Sequence, residues 1–156
     1  MSTRSVIARP TPEGGFCGTY CHYDGYPAHQ GRILFDAVTG HFAGDPDAAC
    51  RYLIDQHPAG WSVLGGDFTI QAGSDRQTLR NQCYCHGDRH DPPRTPLDDD
   101  TARDAWVDYA YVIGPDRLQV LTSLHGGWQP VADPAWTDTP DWDAIDRHAK
   151  QLRRQY

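Results

Sequence analysis

A chain of 156 residues with a formal net charge of −7 is long enough for one domain with its own hydrophobic core. No stretch approaches the roughly 18 consecutive apolar residues of a membrane span, and the N-terminal "MSTRSVIARP" lacks the apolar core of a signal peptide. The acidic balance argues against general nucleic-acid binding, which requires a basic face. We therefore expect a single cytoplasmic domain over residues 1–156.

The first half of the chain is predicted to contain a hairpin followed by two helices. Residues 5–9 and 16–23 alternate as strands and are joined by the turn-forming "PTPEGG". Residues 29–38 place apolar side chains on one helical face. Asp45 is expected to cap a second helix that starts at Pro46 and ends before the next proline.

The second half is predicted to add strands and a terminal helix. Residues 81–86 resemble a strand, and the polar loop over 87–104 contains a short helical turn near its end. "WVDYAYVI" and "RLQVLTSL" alternate on either side of "GPD", which predicts a hairpin. A helix over about 140–155, capped by Thr139, should pack on the sheet through Trp142, Ile145, Ala149, Leu152 and Tyr156. The sum is an α+β fold: a single domain with a mainly antiparallel sheet and packed helices.

The stretch "YCHYDGYP", residues 20–27, concentrates aromatic and titratable side chains at the end of a predicted strand. Strand alternation directs Tyr20 and His22 to one face, and we expect one face to enter the core while the other meets ligand or solvent. The Asp-Gly pair forms a turn in which glycine can take a positive φ, and the proline requires an extended residue before it. The candidate ligand-binding residues here are Tyr20, His22, Tyr23, Asp24 and Tyr26. An Asx-turn with buried aromatic side chains is the structural alternative.

A second cluster is "CYCHGDRHD", residues 83–91. Arginine offers a planar fork suited to phosphate or carboxylate, and lysine is almost absent from this chain. Any bound anion would therefore be read by arginine or by backbone N–H groups. The candidate ligand-binding residues here are Tyr84, His86, Asp88 and Arg89, and Arg4 joins them from the N-terminal strand. For each arginine, a surface charge or a structural ion pair is the alternative.

Cysteine and histidine occur in both clusters, which raises the question of a zinc site. Cys17 and Cys21 lie about 13 Å apart on an extended strand, whereas two thiolates on one zinc ion lie within about 4 Å. Neither cluster contains a Cys-x2-Cys pair. We therefore predict no metal and no cofactor, and we expect the five cysteines to remain thiols that pack as small hydrophobic groups.

Several sequence patterns of enzymes are missing from the chain. The single lysine, Lys150, lies in the terminal helix, so no phosphate-binding Gly-x4-Gly-Lys loop is present. Ser62 is not followed by the glycine of a nucleophile elbow. Cys21 and His22 are adjacent on a strand and so point to opposite faces. We assign no catalytic residue, and we favour binding over enzymatic activity without excluding the latter.

The first motif resembles one from a family of small uncharacterised proteins encoded by bacteriophages and prophages. Members of that family open with Met-Ser-Thr-Arg-Ser and carry Tyr-Cys-His-Trp-Asp-Gly-Tyr-Pro, followed a few residues later by a glycine. Here Tyr23 replaces the tryptophan, and Gly31 matches the later glycine. The family's second motif, Tyr-His-Arg-Asp-Arg-Gly, is matched only in part by residues 84–89, and its Tyr-Ala-Tyr strand resembles "DYAYVI". The resemblance covers most of residues 1–125, and we assign no role to the tail from "HGGWQPVADP" onward.

The resemblance implies a phage accessory protein in the cytoplasm of a bacterial host cell, of a kind that often counteracts host defence. Independently, the candidate residues combine rings for stacking a base with groups for meeting phosphates. We therefore expect a non-enzymatic protein that sequesters a small anionic, nucleotide-like ligand, without membrane binding. Homo-oligomer formation and a host-protein partner are left open.

Two other functions remain as alternatives. The first is a phosphoester hydrolase or lyase, in which a histidine acts as general base and an aspartate orients it; the candidate pairs come from His22, His86, Asp24 and Asp88. The second is an acidic inhibitor of a host protein that acts through Asp98, Asp99 and Asp100. A solvated acidic loop is the structural alternative for those three residues.

Overall fold

An eight-stranded mixed sheet organises the protein. The computed structural model describes residues 2–66, 68, 81–86 and 89–155. The strands are β1 (Ser5–Pro10), β2 (Phe16–Cys21), β3 (Trp61–Val63), β4 (Gln82–Cys83), β5 (Leu97–Asp98), β6 (Tyr109–Ile113), β7 (Leu118–Leu124) and β8 (Gly127–Ala132). Their order is β4-β3-β2-β1-β6-β7-β8, and β5 pairs separately with β2.

Strand β1 lies in the middle of the sheet and is covered on both faces. It runs antiparallel to β2 and parallel to β6. Ile7 belongs to the larger apolar cluster on one face, whereas Val6 and Ala8 belong to a smaller cluster on the other. All three side chains are fully buried. The sheet is therefore the middle layer of the fold, and its residues alternate between two apolar clusters.

Within the described residues, four helical segments cover the sheet. Helix α1 is continuous over residues 27–41, with α-helical turns at Arg32–Asp36 between wider turns on both sides. Helix α2 covers residues 46–55, α3 is Asp99–Asp104 and α4 is Trp142–Gln155. Helices α1, α2 and α4 contribute to the larger cluster, and α3 contributes to the smaller one. No helix in the described residues combines the length and apolar character needed to cross a bilayer.

The helix starts follow from local sequence. Tyr26 is extended, with ψ of 154°, directly before the proline that opens α1, as predicted for a residue that precedes proline. The Asp45 carboxylate accepts the N–H groups of Asp47 and Ala48, which confirms the predicted cap of α2. The cap of α4 was wrongly predicted, because Asp141 rather than Thr139 accepts the N–H of Ala144, at 3.1 Å.

The α+β fold with its terminal helix is confirmed, and some element boundaries differ from the prediction. Both hairpins are present, with β1 antiparallel to β2 and β6 antiparallel to β7. The strand predicted over 81–86 is shorter, covering only Gln82–Cys83. Strand β8 was not predicted, and it pairs antiparallel with β7. Of the residues predicted to form the apolar face of α4, Tyr156 lies outside the described residues.

The close approach of α1 and α4 occurs at Gly31. A Cβ atom at this position would overlap the ring of Trp142, which is 5% exposed. Both Gly31 and Trp142 lie at the helix–helix contact, so the glycine is needed for packing rather than for its backbone flexibility.

We expect Gly31→Ala to lower the free energy of unfolding by about 1–3 kcal/mol, because an added methyl group must displace a buried indole. Gly40→Ala is the matched control, since Gly40 lies in the same helix with open space where its Cβ would be. That control should be neutral or stabilising by up to about 1 kcal/mol. Urea unfolding measures both, and equal effects of the two substitutions would contradict the proposed packing role.

Candidate functional site

A pocket of about 620 Å³ opens beside the outer edge of β2. It is bordered by the C-terminal end of β2, the segments around Pro58 and Tyr84, and the loop that leads into β5. The described lining residues are Arg4, Gly18, Thr19, Tyr20, His22, Ile54, Asp55, Pro58, Tyr84, Arg89, Arg94, Thr95, Pro96, Leu97 and Ala105.

The position of the pocket follows from how β2 is paired. Along its outer edge, β2 pairs with β5 at Cys17 and Gly18, and with β3 at Cys21. Thr19 and Tyr20 lie between these two pairings and line the pocket. The Thr19 hydroxyl donates to the carbonyl of His57 at 3.3 Å. The pocket therefore lies between β5 and β3, two short strands that pair with the same edge of β2.

Two tyrosine rings and two guanidinium groups lie close together in the pocket. The Arg89 Cζ atom is 4.3 Å from the centroid of the Tyr84 ring. The Arg94 Cζ atom is 5.5 Å from the centroid of Tyr84 and 5.7 Å from that of Tyr20. These distances are those of cation–π contacts. Arginine therefore covers one or more faces of each tyrosine ring at the pocket.

The charge at the pocket is positive although the chain is acidic. Asp55 is the only acidic residue among the described lining residues, and both of its carboxylate oxygens accept from Arg9, at 2.8 and 2.9 Å. Arg89 donates to Asp91 at 2.7 Å. Within the described part of the chain, neither Arg4 nor Arg94 has a carboxylate partner for its side chain. Two guanidinium charges are therefore left to attract an anion.

The tyrosine hydroxyls are neutral near pH 7. Burial raises the pKa of Tyr20, and the charges of Arg4 and Arg94 only partly oppose this effect. Burial also raises the pKa of Tyr84. The Tyr20 hydroxyl forms a 2.6 Å hydrogen bond with Nδ1 of His22. Both rings consequently combine an apolar face with a protonated hydroxyl.

The structure brings together part of the predicted site. Among the predicted residues, those that line the pocket are Arg4, Tyr20, His22, Tyr84 and Arg89. Tyr23, Asp24 and His86 are not among the lining residues, and Asp88 lies outside the described residues. Tyr26 lines a different, shallower pocket together with Arg153 and Arg154. The two predicted clusters do not meet across adjacent strands, because β3 lies between β2 and β4.

The turn that follows β2 also differs from the prediction. Asp24, not Gly25, takes the positive φ, at 55°. Gly25 instead donates its N–H to the carbonyl of Thr3 at 2.9 Å. Tyr23 is 48% exposed and Tyr26 is 36% exposed, so neither belongs to a buried aromatic cluster. The second part of the motif therefore shapes the chain reversal rather than the pocket.

Arg94 is one of the lining residues that sequence reasoning missed. It lies within "DPPRTP", in the polar loop, where prolines keep the chain extended. Its N–H donates to the carbonyl of Pro58 at 3.0 Å, which holds the loop against the opposite wall. A charged residue flanked by prolines was the available signal, but nothing in the sequence places it opposite Tyr20.

His57, Cys83 and His86 lie behind the Tyr84 wall and are not among the lining residues of the pocket. Cys83 precedes Tyr84 and is buried, and its sulfur lies 3.2 Å from Nδ1 of His86. His57 precedes Pro58 and is 3% exposed. Burial lowers the pKa of His57 to about 4, and the neighbouring His86 acts in the same direction. The His57 imidazole is therefore neutral near pH 7. Cys17 and Cys85 are only partly buried, so the prediction of buried thiols does not hold for them.

Comparison of the chain with protein-family models, with curated proteins and with solved structures gave no match. The resemblance to phage proteins stays a prediction, and the function is inferred from the geometry of the pocket.

Gly60 connects the walls of the pocket. Its φ is +93°, and a Cβ atom there would lie 2.8 Å from the carbonyl oxygen of Tyr20. Its own carbonyl accepts the N–H of Tyr84 at 3.0 Å. Because both tyrosine backbones contact this residue, its conformation sets their spacing.

We expect Gly60→Ala to destabilise the protein by about 1–3 kcal/mol, since the new methyl group combines a positive φ with a backbone clash. Chemical denaturation monitored by tryptophan fluorescence measures the change. Gly66→Ala serves as the control, because no atom lies within 4 Å of its Cβ position. That variant should stay within about 0.5 kcal/mol of the original protein. A Gly60→Ala protein of unchanged stability would contradict this account of the turn.

Proposed function

We propose that the protein binds and sequesters a small anionic ligand of the nucleotide class in the pocket beside β2. The observation that carries the proposal is the presence in one pocket of two tyrosine rings, over which Arg94 lies, together with Arg4; neither arginine side chain has a carboxylate partner among the described residues. Aromatic rings stack on nucleobases, and arginine binds phosphate through its planar fork. The volume of about 620 Å³ lies within the range of about 300–1,000 Å³ that is common for small-molecule sites.

The hydrogen bonds around His22 favour binding over hydrolysis. A histidine that acts as general base is usually oriented by a carboxylate. Here Nδ1 of His22 is bonded to the hydroxyl of Tyr20, and Asp24 lies outside the pocket. Asp55 is held by Arg9 on both oxygens, so it is not a free base either.

The acidic segment at residues 98–100 has structural contacts that weaken the inhibitor alternative. The Asp98 carboxylate caps α3 by accepting the N–H groups of Asp100 and Thr101. Asp100 forms an ion pair with Arg103 at 2.9 Å. These contacts account for Asp98 and Asp100 without a protein partner.

The biological role that we propose is interference with a nucleotide-dependent defence of a bacterial host. This part depends on the resemblance of the first motif to phage proteins. The chemistry of the pocket supports only the class of ligand and not the biological role.

The first experiment is native mass spectrometry of the protein purified from bacterial cytoplasm, followed by denaturation and analysis of the released small molecules. Stoichiometric release of an unchanged nucleotide-like molecule supports sequestration. Conversion of that molecule to a product on incubation would support the hydrolase or lyase instead. A ligand-free protein that captures a host protein, with capture lost when Asp98, Asp99 and Asp100 are neutralised, would support the inhibitor.

We expect Arg94→Ala to weaken binding of a nucleoside monophosphate roughly 10- to 100-fold, because a charged hydrogen bond to phosphate is lost. Calorimetric titration with AMP, GMP, CMP and UMP provides the probes, and the matching nucleosides test the phosphate contribution. Arg117→Ala is the matched control, since Arg117 is paired with Asp133 at 3.2 Å away from the pocket. Equal affinities for nucleotide and nucleoside would contradict the role given to arginine.

We expect Tyr84→Ala to weaken nucleotide binding roughly 5- to 150-fold, since stacking contributes about 1–3 kcal/mol per base. Tyr84→Phe retains the ring and should bind within about threefold of the original protein. Circular dichroism checks that both variants are folded, because Tyr84 is 8% exposed and packs in the protein. If Phe and Ala at this position were equally harmful, stacking would not be the contribution of Tyr84.

A further inference from the structure

His57, Cys83 and His86 form a compact group of metal-binding side chains. Each offers one ligand atom, and these atoms all lie within 4.8 Å of one another. The Cys83 sulfur lies 3.2 Å from Nδ1 of His86. His57 comes from the turn between α2 and β3, so the group joins two segments that are distant in the sequence.

The buried imidazole of His57 points to a missing partner. His57 is 3% exposed, and its Nδ1 atom has no hydrogen-bond partner within the described residues. Leaving a buried polar atom unpaired costs about 1–3 kcal/mol. A hydrogen bond between Cys83 and His86 accounts for those two side chains, but it does not account for the unpaired nitrogen of His57.

We propose that His57, Cys83 and His86 bind a zinc ion, with Cys85 or a water molecule as the fourth ligand. Two imidazoles and a thiolate form a nitrogen and sulfur donor set typical of zinc. Bonds of about 2.3 Å to sulfur and about 2.0 Å to nitrogen place the ligand atoms of a tetrahedral ion roughly 3.5 Å apart. The distance between the Cys83 sulfur and Nδ1 of His86 is already close to that value. Since all the ligand atoms lie within 4.8 Å of one another, the side chains would need to move inward only slightly to bind the ion.

Zinc binds a cysteine as its thiolate, so Cys83 must lose its proton when the ion binds. On binding, the thiol releases its proton to solvent and the sulfur lone pair forms the bond to zinc.

Cys85 lies next to the group, although its sulfur is not among the ligand atoms that all lie within 4.8 Å of one another. It follows Cys83 by two residues and is partly exposed, and its sulfur accepts the N–H of Ala59 at 3.1 Å. Ala59 is itself two residues from His57, so both cysteines face the same turn. A zinc ion at this position would tie that turn to the segment that carries Tyr84.

The proposed ion would act on the pocket from behind. Pro58 follows His57, and Tyr84 follows Cys83, and both line the pocket. Binding of His57 and Cys83 to the ion would therefore also restrain their neighbours Pro58 and Tyr84, and with them two walls of the pocket. The inference goes beyond the proposed function, because the ion touches the scaffold and not the nucleotide-like ligand.

The test is metal analysis of the full chain purified from bacteria and dialysed against metal-free buffer. We expect about one zinc ion per chain by inductively coupled plasma mass spectrometry. In Cys83→Ser and His86→Gln the zinc content should fall at least about tenfold. Cys17→Ser and His148→Gln are the matched controls, because Cys17 lies on β2 and His148 is an exposed residue of α4, and both should keep the metal.

A second measurement keeps the test decisive if the variants fail to fold. Cobalt(II) is added to the original protein after its zinc is removed by chelation, and a thiolate-to-cobalt charge-transfer band in the near ultraviolet is expected. Absence of both zinc and this band in the original protein would overturn the proposal, as would full zinc content in folded Cys83→Ser. Neither readout depends on nucleotide binding, so failure here is distinguishable from failure of the proposed function.

Discussion

The shared outer edge of β2 is the constraint on which the site depends. One end of this edge is paired with β5 and the other with β3, and the residues between the two pairings line the pocket. A longer β3 or β5 would complete the ladder and close the interval. The turn at residues 57–60 fills part of it, where the hydroxyl of Thr19 meets the carbonyl of His57. The pocket thus exists because two short strands replace one long neighbour.

The motif at residues 20–27 has two structural roles, lining the pocket and reversing the chain before α1, and the sequence alone does not show which residues have which role. Tyr20 and His22 face the pocket. The remainder reverses the chain and starts α1: Asp24 has a positive φ, and the carbonyl of Gly25 accepts the buried hydroxyl of Tyr111 at 2.6 Å. The same eight residues therefore hold the pocket-facing strand end and anchor the first helix to β6.

Charge at the pocket is local and opposes the charge of the whole protein. The chain carries a net charge of −7, yet Arg9 occupies both oxygens of Asp55, the one carboxylate among the described lining residues. Arg4 and Arg94 are thereby left to dominate the field inside the cavity. Net charge governs solubility and encounter at long range, whereas ion pairing within a few ångströms decides which sign a small ligand meets.

The sequence by itself determined the α+β class, both hairpins, the capped start of α2 and the terminal helix, because these depend on periodicity and on caps within a few residues. It also identified Arg4, Tyr20, His22, Tyr84 and Arg89 as candidates by their chemistry. Only the tertiary structure decided that β3 separates the two clusters, that Arg94 lies opposite Tyr20, and that His57 meets Cys83 and His86. Strand order and loop packing arise from contacts between residues far apart in the chain, and no local pattern records such contacts.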